Sequence, residues 1–219
     1  MSGQSHLLPN GRVLRYTFKE RMTHWLVAVS YIYLLLTGLA FWSPWLYWLA
    51  MVLGGASISR ELHGWAGLVF VCGIWMMHSM WSGQMKETAD DKRWWGAIGH
   101  YIRNEDDKVP SAGRFNGGQK LLFWGFFYNA ILLLLTGLVL WLPHYIPWSL
   151  HYLRDVAVIV HPICALLTIG LFIIHVYMGT AMERGAFGSV IRGDVSLAWA
   201  KHYHNQWLQQ LQRDSETRK

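Results

Sequence analysis

Four long apolar blocks constrain this chain more than any other feature. A helix that crosses a bilayer needs roughly 20 mostly apolar residues in a row. Residues 27–42 with their flanks, 62–81, 121–142 and 156–182 meet or approach that length. Tryptophans gather at the block ends: Trp25, Trp42, Trp45 and Trp48 around the first, Trp81 after the second, Trp141 and Trp148 after the third. Amphipathic rings favour the headgroup level, so this clustering reads as an aromatic belt. It is not the pattern of an aromatic-rich soluble core.

The expected fold is an all-α integral membrane protein, a four-transmembrane-helix bundle forming one domain over residues 1–219. Its helices are predicted at about 22–42, 59–81, 119–142 and 153–182. Pro44, Gly54 and Gly55 mark the first short loop, and Pro143 and Pro147 stop the third helix. Within the long loop, 82–118, residues 94–103 suit a short interfacial helix. The tail, 183–219, mixes apolar and charged residues around 195–211, the pattern of an amphipathic helix on a membrane surface or a partner. The polar start and the lack of a small-residue cleavage site predict that the first helix is retained. No convincing internal repeat or low-complexity segment stands out.

Charge sets the expected orientation. All of the 19 Lys and Arg except Arg60 and Arg154 fall in the N-terminal arm, the 82–120 segment or the C-terminal tail. The positive-inside rule then places both termini and the long loop in the cytoplasm. The net charge of +6 is accounted for by topology. No basic groove with interleaved aromatics suggests nucleic acid. Cys72 and Cys164 each lie inside an apolar block and read as buried free thiols. Without Cys-x-x-Cys-His, covalent c-type haem is not indicated.

Ligating residues inside a membrane span are costly and mark function. Of the 11 His, His6, His100, His144, His151, His202 and His204 lie in loops or tails and read as solvated surface. His24, His63, His78, His161 and His175 lie in or at the ends of helices. His161 and His175, both on the fourth helix, are nearly four full turns apart, so they share a face about 21 Å apart along the axis. Two bis-histidine haems stacked across a bilayer need that arrangement, and neutral imidazole is a standard axial ligand for haem iron. By depth, His63 matches His161 at the outer side. At the inner side His24 and His78 compete; His78 lies roughly 60° off the face of His63. Pro162 follows His161 and either tilts it or is simply tolerated.

Several segments carry a family resemblance: Arg21-Met-Thr-His24-Trp25, Arg60-Glu-Leu-His63-Gly64, Phe115-Asn116-Gly117-Gly118-Gln119-Lys120 and His161…His175-Val-Tyr-Met178. Over nearly its whole length the chain resembles the cytochrome b (gamma) subunit of respiratory, membrane-bound formate dehydrogenase. The resemblance implies two haem b groups, the outer held by His63 and His161 and the inner by His24 and His175. It makes His78 a helix-end polar residue. It implies a quinone site, for menaquinone or ubiquinone, at Asn116, Gly118 and Gln119 on the cytoplasmic face. On the residues alone, Asn-Gly-Gly is also an ordinary turn before a helix.

The resemblance further implies partners: an iron–sulfur (beta) subunit and a molybdenum or tungsten catalytic (alpha) subunit, in a complex that can assemble further. Electrons would pass from the periplasmic face through the haems to a quinone reduced at the cytoplasmic face. The Arg-x-x-His-Trp opening is shared more loosely with di-haem cytochromes of nickel-iron hydrogenases. A subunit of such a hydrogenase, or of another molybdenum oxidoreductase, is therefore the alternative. A haem-free anchor or transporter, with the histidines as packing or proton-relay groups, is the rival of a different class.

Overall fold

A computed structural model describes residues 6–217; Arg218 and Lys219, counted above among the basic tail residues, lie outside them. Twelve elements follow in order: β1 (Arg12–Leu14), α1 (Phe18–Trp42), α2 (Trp48–Val52), α3 (Ala56–Trp81), α4 (Ala89–Gly96), α5 (Ile98–Ile102), α6 (Gly117–Trp141), α7 (Tyr152–Tyr177), α8 (Phe187–Ile191), β2 (Asp194–Ser196), α9 (Leu197–Tyr203) and α10 (Asn205–Glu216). Short 3-10 turns at Pro44–Leu46 and Pro143–Tyr145 follow α1 and α6. One turn of π-helix, Met178–Met182, extends α7. Among the described residues, four helices are long and apolar enough to cross a membrane: α1, α3, α6 and α7 with its π-turn.

The helix ends have local causes. α1 begins at Phe18, four residues before the expected start, because Thr17 and Glu20 form a capping box. The Thr17 N–H donates to Glu20 Oε2 at 2.7 Å and the Glu20 N–H donates to Thr17 Oγ1 at 3.3 Å. The loop helix expected at 94–103 is two short helices, α4 and α5, and Thr88 with Asp91 caps α4 in the same way. α7 runs without a break through Pro162.

The chain divides into two compact units. The second comprises Met22–Ser79 and Trp124–Ile173. It is the body of the helix bundle, with Tyr31, Phe70, Ile74, Phe127 and Ala130 at its core. α1 and α3 touch closely at Gly73, where a Cβ would meet Val27 Cγ2 at 2.5 Å. Asn129 on α6 ties α7, donating to the Cys164 carbonyl at 2.7 Å and to Thr168 Oγ1 at 2.5 Å. Large apolar residues such as Val158, Ile159, Leu167 and Ile173 face outward, as helices solvated by lipid require. Cys164 is buried as expected, but Cys72 is exposed on α3.

The first unit comprises the residues up to Arg21, Met80–Phe123 and the chain from Ile174 onward. Here β1 and β2 pair antiparallel, Val13 opposite Val195. Val13, Val195, Trp199, Ala200, Trp207 and Leu208 form its core. The amphipathic tail packs apolar residues inside this unit, where β1 offers it an apolar partner. His204, expected at the surface, is fully buried. Arg15 Nη2 donates to His204 Nε2 at 3.2 Å, and His204 Nδ1–H donates to the Gly113 carbonyl at 2.6 Å. An arginine can only donate, which sets that tautomer. Burial first, and the Arg15 charge second, hold the His204 pKa well below its ordinary value. The Arg15 guanidinium also sits 4.7 Å from the centre of the Trp199 ring.

Candidate functional site

His63 on α3 and His161 on α7 meet in the second unit. Their ring centroids are 6.4 Å apart and their planes 61° apart. Each is held by a threonine from a neighbouring helix. Thr37 Oγ1 on α1 lies 2.7 Å from His63 Nδ1 and 2.7 Å from the Tyr33 carbonyl. Thr136 Oγ1 on α6 lies 2.8 Å from His161 Nδ1 and 2.7 Å from the Leu132 carbonyl. A carbonyl can only accept, so each hydroxyl hydrogen goes to its helix carbonyl. Each hydroxyl oxygen then accepts from Nδ1–H of the imidazole. Both histidines are thereby left with the lone pair on Nε2, the state a metal ligand needs.

The glycine after each threonine makes room for the ring. A Cβ at Gly137 would stand 3.2 Å from His161 Cε1, and one at Gly38 would stand 3.6 Å from His63 Cε1. Beside the histidines lies a cavity of about 510 Å³. Its walls are apolar, and equivalent pairs line it: Leu34 and Leu133, Gly38 and Gly137, Trp42 and Trp141. These pairs expose a short internal repeat that the reading by composition missed. Residues 34–44 and 133–143 both read Leu-Leu-Leu-Thr-Gly-Leu-x-x-Trp-x-Pro. Each copy ends a long helix, and a histidine on the next long helix returns to its threonine. Arg60 reaches the cavity and a smaller recess with Phe41, Ala56 and Ser57.

These features fit a planar tetrapyrrole with an iron between the imidazoles. A metal–imidazole bond of about 2.0 Å on each side sets the two ring centroids roughly 6.3 Å apart, against the 6.4 Å found. Among the described residues, no group of three or more His, Cys, Asp or Glu could hold a bare metal ion.

The other sequence candidates fall elsewhere. His24 lies on α1 in the second unit, edge-on to Trp25 at 5.6 Å. His175 lies on α7 just inside the first unit. His78 stacks on Phe127 at 4.3 Å, with Trp75 and Trp124 each 5.7 Å away. Asn116 and Gln119 form a capping box at the start of α6: the Gln119 N–H donates to Asn116 Oδ1 at 2.9 Å and the Asn116 N–H donates to Gln119 Oε1 at 3.2 Å. Their side-chain NH2 groups both donate to the buried Glu183, Asn116 to Oε1 at 3.1 Å and Gln119 to Oε2 at 3.4 Å. The Tyr101 hydroxyl donates to Oε1 at 2.8 Å. The close approach that Gly117 and Gly118 allow is taken by the Trp94 ring, 2.9 Å from where either Cβ would stand. Glu183 was not legible as part of this cluster, since it is 64 residues from Gln119 along the chain.

Four spanning helices and a paired-imidazole pocket define a membrane cytochrome. Residues 15–193 match the prokaryotic cytochrome b561 family, and the chain belongs to that family. It is thus a multi-pass inner-membrane protein of the haem b type. Among curated proteins it is similar to the cytochrome b556(fdo) subunit of formate dehydrogenase from Escherichia coli K12, with 32% identity over 93% of this chain and 95% of that one. The cytochrome b556(Fdn) subunit of the nitrate-inducible formate dehydrogenase of the same strain is 27% identical, over 92% of each chain. The cytochrome b556 subunit of formate dehydrogenase from Haemophilus influenzae is 29% identical, over 91% of this chain and 83% of that one.

Proposed function

We propose that this chain is the cytochrome b subunit of a respiratory formate dehydrogenase complex, passing electrons through two haem b groups to a quinone. The observation that carries the proposal is the His63–His161 pair, spaced for one iron and freed at Nε2 by Thr37 and Thr136. The haems supply one-electron chemistry when bound. His63 and His161 hold the outer one. The apolar cavity walls exclude water from it, and the Arg60 guanidinium offers a carboxylate-binding fork at the cavity's edge for a propionate. His24 and His175 hold the inner one, supported by the match of the Arg21–Trp25 and His175–Met178 segments to the family pattern. Asn116, Gly118 and Gln119 form the quinone site; after capping α6 and bonding Glu183, each amide NH2 retains one N–H to offer a quinone oxygen.

The uneven distribution of Lys and Arg supports cytoplasmic termini and a periplasmic position for His63 and His161. An iron–sulfur subunit then delivers electrons at that side. A separate molybdenum or tungsten chain oxidises formate. Pyridine haemochrome assay of the purified complex tests the ligand set. His24→Ala, His63→Ala, His161→Ala and His175→Ala are each expected to lose one haem of two, and His78→Ala to keep both. A haem lost from His78→Ala and kept in His24→Ala would reverse the inner assignment. Co-purification of a hydrogenase large subunit in place of a formate-oxidising chain would move the protein to the other complex.

A further inference from the structure

Glu183 is a carboxyl that the proposed function leaves without a task. It is 4% exposed and follows the π-turn of α7, its N–H donating to the Met178 carbonyl at 3.0 Å. Burying a carboxyl is costly unless it is hydrogen-bonded, and an apolar side chain would fill such space more cheaply. It accepts hydrogen bonds from two other places in the chain: Tyr101 on α5, and Asn116 and Gln119 at the start of α6. Asn and Gln never carry a mobile proton, and the tyrosine hydroxyl ordinarily ionises near pH 10. Glu183 is therefore the member of this cluster whose side chain is ordinarily a proton-exchanging acid. It lies directly behind the two amides that the proposed function gives to the quinone.

We propose that Glu183 is the proton-holding carboxyl of the quinone site. The inference rests on the quinone reading of Asn116–Gln119. Reducing a quinone to a quinol takes two electrons, which a reduced b-type haem supplies one at a time, and two protons. Glu183, once protonated, gives one proton through a bridging water to a quinone oxygen as that oxygen gains charge, because the two amides stand between them and cannot relay it. The Tyr101 hydroxyl, bonded to Oε1, returns a proton to the carboxylate by passing on one from water. The second quinone oxygen takes its proton from water. With Glu183 in place, both amide groups are also held in one orientation, oxygens toward the helix cap and nitrogens toward the carboxyl.

The test uses the intact, purified complex with its haems pre-reduced and then mixed with a soluble short-chain quinone. Haem re-oxidation is followed optically in H2O and D2O. Binding of a fluorescent alkyl-hydroxyquinoline N-oxide, a quinone-site probe, is titrated in parallel. Glu183→Gln is expected to slow re-oxidation by about 100-fold or more, the scale of a lost general acid. It should enlarge the solvent isotope effect and leave haem content unchanged, with probe affinity falling by much less than the rate, because the glutamine keeps one acceptor oxygen for the amides. Glu183→Asp should recover part of the rate, and Tyr101→Phe should slow it in the same direction by less.

A rate within about twofold of the original in both Glu183→Gln and Tyr101→Phe overturns the inference. So does a slow rate with an unaltered isotope effect, which marks a structural role. Asn116→Leu separates the two levels. If it abolishes probe binding while Glu183→Gln turns over normally, only the role of Glu183 fails. If it leaves probe binding and re-oxidation intact, the quinone reading fails with it.

Discussion

Thr37→Val removes one oxygen from the candidate haem site and changes little else. Valine matches threonine in shape, and Thr37 is fully buried, so packing is retained. What disappears is the acceptor of the His63 Nδ1–H, 2.7 Å away. A buried donor left without an acceptor costs about 1–3 kcal/mol. Groups that orient a ligating histidine change metal affinity by roughly 10–100-fold, which is the same range. The hydrogen bond also makes the imidazole a stronger electron donor and so favours ferric iron. If about 1 kcal/mol of the loss falls differentially on the ferric form, the midpoint potential rises by about 40 mV, at about 2.3 kcal/mol per 100 mV for one electron.

Thr136→Val removes the equivalent contact to His161, at 2.8 Å, and should move the same haem by a similar amount. Thr37→Ser keeps the hydroxyl and should behave like the original protein. Redox titration of the isolated complex, followed in the haem α-band, reads the shift. Haem quantitation reads the loss of affinity. A midpoint unmoved beyond roughly 10 mV in both valine variants, with haem content intact, would refute the assignment of these threonines to the ligands.

Two further outcomes follow from the geometry. Ala at Gly137 must crowd the His161 ring, since its Cβ would lie 3.2 Å from Cε1, whereas Ala at Gly38 meets His63 at an ordinary 3.6 Å. Overpacking of this kind costs about 1–3 kcal/mol, so thermal release of haem should come at lower temperature in Gly137→Ala than in Gly38→Ala, and the reverse order would count against the site. His204 is neutral in the folded chain with its pKa held well below 6.5. The unfolded chain therefore binds an extra proton once the pH falls below about 6.5. The stability contributed by the neutral ring is complete above that value and is lost progressively below it. Unfolding in detergent, followed by tryptophan fluorescence from about pH 7.5 to 5, should show a steeper loss in the original protein than in His204→Gln; equal slopes would show that this histidine does not titrate on unfolding.

Much of the molecule is readable along one dimension. The four spans are continuous apolar runs, and lipid leaves a chain of that kind no option but helix. Caps are local too: Thr17 with Glu20 and Thr88 with Asp91 are three residues apart, and the first of these was missed only because the apolar run begins later. His161 and His175 share a helix, so their common face follows from helical geometry alone. The ending of α1 and α6 in the same Leu-Leu-Leu-Thr-Gly pattern is also a property of the sequence. Its meaning is not, because nothing along the chain joins Thr37 to His63 or Thr136 to His161 until the helices pack.

What the sequence by itself determined is the class of solvent and the helices that suit it. Apolar length, belt tryptophans and basic segments act locally, each through its own contact with lipid or water. What only the tertiary structure decided is which polar groups meet. It closed His63 and His161 to the spacing of a shared iron and set both tautomers through threonines on other helices. It drew the amphipathic tail inward around Val13 and buried His204 against Arg15. It also joined Glu183 to Asn116 and Gln119. Those pairings are between residues far apart in the chain, and only the packing of whole helices brings their atoms within hydrogen-bond distance.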